Sequence, residues 1–420
     1  MNSGIPVFLW DRYPKDVLDK QFPQLSGYLE RIGAISSDTH AIQYCGLVVA
    51  PDGETFMFLP RTGPDEPDQS ATGLLADGIS TMTTLTRFAR ESDRNAIQKT
   101  EGRGGTIAPI IEALAVDFRD HGIFNERLKT TGINSGKPDW KRTIKRVQAL
   151  HTDDGPVFPE ILTSRPFNST DNVLAGIQAA VISEIRTTHG WWLKKSFGKR
   201  PPPRVPLVNY SRNKWIPLLR KFMRGLYMDR PLRLCRLLCD YLLAEADNRD
   251  GSFFCGLRDF HTVWERMLRD TLKDTESRWA EKLPLPVYVT RDGKSVPGAG
   301  MLPDIVIRRG DRLMVADAKY YAATSVENSP HLGDILKQVS YLRAIRTAVP
   351  SASAETCFVF PRARNTQGRF VVTKFRDREG QPVPEFDSIQ CFYFPLMDVV
   401  ENYNNHTLVS FDELTATKTD

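Results

Sequence analysis

Two aspartates and a lysine in one short segment hold the clearest chemistry in this chain. Residues 301–321, MLPDIVIRRGDRLMVADAKYY, form two apolar, strand-like runs on either side of Arg309-Gly310-Asp311-Arg312. Glycine suits the first central position of a type II′ turn, so Gly310 and Asp311 predict a hairpin in which Asp304 lies opposite Asp317. Opposed residues set their Cβ atoms about 5 Å apart on one face, and Lys319, two positions beyond Asp317, projects to that same face. Two carboxylates so close repel unless a cation sits between them, and an all-oxygen ligand set selects a hard ion such as Mg²⁺. A neighbouring lysine can then position a metal-bound water or help deprotonate it. The competing reading is a structural salt bridge on a strand edge. The continuous apolar IVI and LMVA runs instead predict strands buried on both faces, where charge without a role is costly.

The elements around this hairpin predict an α/β domain: a helix over 258–274, a β-rich stretch over 285–319, a helix over 332–347, strands over 355–361 and 369–375, and a closing helix over 395–404. Upstream, AIQYCGLVVAPDGETFMFLPR at 41–61 reads as a β-hairpin turning at Pro51, Asp52 and Gly53, followed by helices over 73–90 and 106–120. The middle of the chain holds DWKRTIKRV, the strand-like PEILTSRPF, and helical stretches over 173–185 and 229–247. The expected organisation is a multidomain α/β (α+β) protein. It has an N-terminal β-containing module with helices (1–124), a mixed middle region (125–250) and a C-terminal α/β core (251–420).

Composition narrows the classes. With 420 residues, 41% hydrophobic and 25% charged, the chain is an ordinary globular protein rather than a disordered or fibrous one. Its net charge of +5 does not by itself indicate a polyanionic partner, but the distribution is uneven. From 185 to 228 no acidic residue occurs, while Lys194, Lys195, Lys199, Arg200, Arg204, Arg212 and Lys214 are interleaved with Trp191, Trp192, Tyr210 and Trp215. Cations among aromatics suit a phosphate backbone with unstacked bases, and a solvated loop explains them equally well. The six cysteines show no zinc spacing and read as buried thiols of a reducing compartment. The N-terminus lacks a cationic region followed by a long apolar stretch, so the expected location is the cytoplasm.

Proline-aspartate, a spacer and Asp-Ala-Lys on the next strand resemble the PD-(D/E)xK nuclease signature. FHTVWERML at 260–268 resembles the upstream helix of that core with its glutamate, here Glu265. GDILKQVSYLRAI at 333–345 resembles the helix after the lysine strand, with Gln338 and Tyr341 standing for the Gln and Tyr of RecB-type nucleases at a spacing one residue narrower than usual. Gly46 with the run ending FLPR, DWKRTI at 139–144, VWE at 263–265, DILKQ with Tyr341, and FVFP at 358–361 together are similar to LlaJI-type restriction endonucleases, which resemble the McrC subunit of McrBC systems.

The resemblance implies a restriction-endonuclease-like core that hydrolyses DNA phosphodiesters with Mg²⁺, Mn²⁺ being the alternative, in antiphage defence. By the same resemblance Asp304, Asp317 and the Ala318 carbonyl ligate the metal, Glu265 completes or orients its water shell, and Lys319 acts on the attacking water. Gln338 and Tyr341 hold the scissile phosphate or Lys319. It further implies a separate McrB-like AAA+ GTPase or ATPase subunit, with the 41–61 hairpin as candidate contact. The chain itself has no Walker A motif, since GINSGKP at 132–138 lacks the glycine spacing and the Ser/Thr after Lys137. Two other functions compete: a non-cleaving DNA-binding adaptor that stimulates an AAA+ NTPase, and a stand-alone DNA repair nuclease.

Overall fold

β-Branched and aromatic residues build the first sheet from strands far apart in sequence. In the computed structural model, strands β1 (Val7–Trp10), β2 (Cys45–Val49), β3 (Thr55–Leu59) and β4 (Phe253–Leu257) pair in the order β1-β3-β2-β4. β2 and β3 form the expected antiparallel hairpin, with Gly46 opposite Phe58 and Gly53 at φ 87 in the turn. β4 joins β2 antiparallel, and Gly46 faces Gly256. A Cβ on Gly46 would lie 2.3 Å from the Gly256 Cα, so only glycine lets the two backbones meet there. Leu9, Leu18, Leu25, Leu29, Val48 and Phe58 fill the core beneath the sheet.

The structure describes residues 5–36, 40–60, 70–92, 107–135, 137–169, 173–203, 210–246, 253–364 and 366–415. They divide into two compact units, one made of 1–109 with 250–420 and the other of 110–249. The sequence boundaries at 124/125 and 250/251 separate the N-terminal module from the C-terminal core, whereas the structure packs them as one unit. β4 completes the first sheet. Helix α1 (Ala71–Glu91), capped where Ser70 Oγ accepts from Gly73 N at 3.2 Å, meets α4 (Leu396–Asn404) through a 2.9 Å hydrogen bond from Thr84 Oγ1 to Asn404 Oδ1.

The second sheet of this unit carries the aspartates. It runs β5-β6-β7-β9-β8, from β5 (Ile305–Arg309), β6 (Arg312–Ala318), β7 (Ser353–Arg362), β8 (Val372–Thr373) and β9 (Ile389–Pro395). β5 and β6 are antiparallel, whereas β6, β7 and β9 are parallel. Helix α3 (Leu332–Ala348) makes the crossover that a parallel pair requires. The strand expected over 369–375 is reduced to the two-residue edge strand β8. Helix α2 (His261–Thr271) is shorter than the expected 258–274, because Asp259 at φ 55 and Leu272 at ψ 132 leave the helical region on either side.

α2 is held by one apolar stripe: Val263, Trp264, Met267 and Leu268 are all fully buried. Trp264→Ala should therefore destabilise the protein by about 3–5 kcal/mol. Trp264→Phe should cost far less, since it also removes a buried indole N–H that has no hydrogen-bond partner among the described residues. Denaturant unfolding of the two variants checks the contrast, and equal losses would contradict it.

In the other unit Glu126–Ile133 pairs antiparallel with Leu162–Ser169, which also pairs with Lys137–Pro138. Helix Trp140–Arg146 is capped by Asp139, whose Oδ1 accepts from Arg142 N at 3.1 Å. Helices Val173–His189, Trp215–Met223 and Asp229–Ala246 pack together, the last burying Cys235 and Cys239 as core residues. All six cysteines are buried and free. Among the described residues no helix is long and apolar enough to cross a membrane.

Candidate active site

The hairpin has the register its turn demands: Arg309 faces Arg312, Ile305 faces Ala316, and Gly310 sits at φ 59. The ladder stops at Ile305. Asp304, the next residue, turns its Oδ2 onto the backbone N–H of Ala318 at 3.0 Å, so the end of β6 fixes the carboxylate. Asp317 lies inside the sheet with 1% of its surface exposed, because β5 covers β6 on one side and β7 on the other.

Such burial demands counter-charge, and two lysines supply it. Lys319 Nζ stands 2.7 Å from Asp317 Oδ2, and Lys337 Nζ on α3 stands 3.0 Å from Asp317 Oδ1. Lys319 is also 2.7 Å from Asp334 Oδ1 in the first turn of α3. A chain of alternating charge therefore runs Asp334, Lys319, Asp317, Lys337. Burial alone would lower both lysine pKa values, but the hydrogen bonds and charges of Asp317 and Asp334 for Lys319, and of Asp317 and Asp304 for Lys337, raise them. Both side chains are held as cations.

The other two acids are less well compensated. Burial, then the negative charges of Asp317 and Glu265, lift the Asp304 carboxyl to about 6. Burial is also the main reason that the Glu265 pKa is raised, with Asp317 adding to it and Arg269, Lys337 and Lys319 opposing. Glu265 reaches the cluster because α2 buries Trp264 and turns the next side chain along the helix toward β6. Four acids, Asp304, Asp317, Glu265 and Asp334, thus share three cations, Lys319, Lys337 and Arg269, which leaves an excess of negative charge in a largely buried place.

The donors that face this place are hard oxygens, which suits Mg²⁺ or Mn²⁺ better than zinc. Among the described residues no three His, Cys, Asp or Glu side chains are gathered closely enough to cage a metal by themselves. That is no obstacle for Mg²⁺, which is usually held by one or two carboxylates together with waters and substrate phosphate. Ala318, whose carbonyl the resemblance offers to the metal, donates its N–H to Asp304.

Gln338 is turned away from the aspartates, whereas Tyr341 lies beside Lys337, near enough for the charges of Asp304 and Asp317 to act on it. Gln338 is fully buried with its Oε1 accepting from Thr356 Oγ1, and the Tyr341 hydroxyl donates to the Leu302 carbonyl at 2.7 Å. Asp334 and Lys337, the residues of α3 that do reach the lysine-aspartate chain, were missed in the sequence. The available signal was spacing: Lys337 is four residues before Tyr341 and three after Asp334, so all three share a helix face. Beside Asp304 a cleft of about 280 Å³ is lined by Arg269, Ser277, Arg278, Trp279 and Leu302.

The basic stretch lies in the other unit. Trp191, Trp192 and Trp215 are core residues, so these three rings present no stacking surface, whereas Tyr210 and Tyr227 are exposed. Lys194, Lys195, Lys199 and Lys214 face solvent. Arg200 Nε donates to the Arg119 carbonyl at 2.8 Å, and Arg212 pairs with Glu184 and Glu245 while lying 5.1 Å from the Trp215 ring centre. Arg204 lies outside the described residues. Both strands of the 41–61 hairpin are interior to their sheet, so it offers to a partner only the exposed turn 51–54.

A family model described as LlaJI restriction endonuclease matches residues 44–376, a span that includes every site residue from Glu265 to Tyr341. The Type II restriction enzyme BsuMI component YdjA of Bacillus subtilis (strain 168) is 21% identical over 259 residues, which is 54% of this chain and 52% of that protein. The match thus spans about half the length of that curated relative. With the family model covering most of its length, the chain belongs to the LlaJI restriction endonuclease family.

Proposed function

We propose that this chain is the Mg²⁺-dependent DNA endonuclease subunit of a McrBC-like and LlaJI-like restriction system that acts in antiphage defence. On this reading 251–420 holds a PD-(D/E)xK site, and a separate AAA+ NTPase binds or moves the DNA. The observation that carries it is the meeting of Asp304, Asp317 and Lys319 at the end of one hairpin with Glu265 of α2 nearby, where burial and then the charges of Asp317 and Glu265 push the Asp304 carboxyl up to about 6. YdjA is described as one component of a restriction enzyme, which supports a partner for this chain as well.

Bound Mg²⁺ would neutralise charge on the phosphoryl oxygens and acidify a water. Asp304 and Asp317 would hold it, and Glu265 would accept hydrogen bonds from its waters. Asp334 keeps Lys319 extended across Asp317, so its ammonium donates toward the water or the phosphate from a fixed direction. The cleft lined by Arg269 and Arg278 continues from Asp304 and offers cations to the flanking phosphates.

The test is cleavage of plasmid and phage DNA in Mg²⁺, alone and with the NTPase subunit of its system plus nucleotide. Cutting that disappears in excess EDTA and returns with Mg²⁺ is the expected result. Cutting that persists in EDTA contradicts the metal. No cutting under any condition, with partner NTP hydrolysis still stimulated, would make the chain the non-cleaving adaptor.

A further inference from the structure

Lys337 takes the position that a bound cation would need. Its ammonium is 3.0 Å from Asp317 Oδ1, and the charges of Asp304 and Glu265 also act on it. It lies 5.5 Å from the Tyr341 ring centre, one helical turn along α3, so the ring and the acids together define its place. The two lysines of the site differ in freedom. The Lys319 side chain is 16% exposed and pinned between Asp317 and Asp334, whereas that of Lys337 is 40% exposed and forms its ion pair with Asp317. A flexible four-carbon stem with its root at solvent can swing its ammonium several ångströms without moving the backbone.

We propose that Lys337 is the resident counter-ion of the metal-free site and that it moves onto the scissile phosphodiester of DNA once a divalent cation is bound, acting there as a catalytic residue. This rests on the nuclease reading above. Lys319 already stands on Asp317 Oδ2, so a divalent ion held by Asp317 would take Oδ1, where Lys337 stands. An ammonium and a divalent ion repel strongly at that distance, so the two do not share Oδ1. With Asp304 and Asp317 taken up by the cation, the displaced ammonium would turn to the scissile phosphate of bound DNA. Gln338, one residue on, cannot substitute for it, because its side chain is turned into the core against Thr356.

The test uses full-length Lys337→Gln and Lys337→Met. Mn²⁺ affinity is read without DNA from the electron paramagnetic resonance signal of free Mn²⁺, and single-turnover DNA cleavage is read at saturating Mn²⁺. Removing a competing cation should tighten Mn²⁺ binding by about tenfold, while cleavage falls by about 10²-fold or more through loss of a charge on the phosphate. Lys337→Arg, which keeps a cation, should recover part of the cleavage. A merely structural Lys337 predicts the opposite metal result, weaker Mn²⁺ binding with a lower thermal midpoint, and would overturn the proposal. So would cleavage by Lys337→Gln at the wild-type rate. If wild type neither cuts DNA nor loses Mn²⁺ affinity on Asp304→Ala, the nuclease reading itself fails and takes this proposal with it, a result distinct from any produced by the Lys337 variants alone.

Discussion

Lys319→Ala should lower DNA cleavage by about 10²–10³-fold or more, the loss typical of removing one donor aimed at developing charge. The ammonium stands between Asp317 and Asp334, each at 2.7 Å, and no other described residue spans them. The same substitution strips Asp317 Oδ2 of its cation in a place where the side chain is only 2% exposed. Lys337 remains on Oδ1, so the expected destabilisation is about 1–3 kcal/mol rather than that of a wholly unpaired buried charge. Lys319→Met, which keeps the apolar stem, should lose cleavage to the same extent with less loss of stability. Mg²⁺ should restore stability to both variants without restoring activity. Cleavage by Lys319→Ala within tenfold of wild type would remove the lysine from the reaction.

Asp304→Asn should abolish cleavage and yet make the metal-free protein more stable at pH 8. The folded carboxyl is raised to about 6 by burial and by Asp317 and Glu265, whereas an unfolded aspartate titrates near 4. The folded state therefore binds this proton more tightly than the unfolded state, and stability declines as pH rises from about 4 through 6. Above that window ionised Asp304 destabilises the fold by about 2–3 kcal/mol. The amide of asparagine carries no such charge, and its oxygen can still accept from Ala318 N–H. The thermal midpoint of the variant should exceed that of wild type at pH 8, with the gap closing as pH falls toward 4. Mg²⁺ should raise the wild-type midpoint and leave the variant's nearly unmoved. A gap that widens at pH 5, or none at pH 8, would show that Asp304 is not held against its charge.

Within the site, local sequence was enough wherever chemistry follows from neighbours along the chain. A glycine turn and a two-residue side-chain period set the hairpin register, which put Asp304 at the mouth of the ladder beside Asp317. The resemblance of FHTVWERML to the upstream helix of the nuclease core picked out Glu265, which follows the buried Trp264. On α3 the resemblance gave Gln338 and Tyr341 as holding the scissile phosphate or Lys319. Successive helical side chains diverge by about 100°, and with Gln338 bonded inward to Thr356 on β7 it is Lys337, one position earlier, that faces Asp317.

In the basic stretch the burial of the aromatics was hidden for a related reason. Tryptophans between lysines look the same on paper whether a neighbouring element covers them or not, and here Trp191, Trp192 and Trp215 are covered. The grouping of the chain into units was also hidden, since the pairing of β2 with β4 depends on two glycines, Gly46 and Gly256, far apart in sequence. What the sequence by itself determined was the pair of carboxylates, their lysine and the strands and turn that align them, because each depends on residues a few positions apart. Only the tertiary structure decided which cations face those carboxylates, which face of α3 meets them and which aromatics remain at the surface. Those outcomes depend on how distant elements pack, and burial sets the energy of each charge only after they have packed.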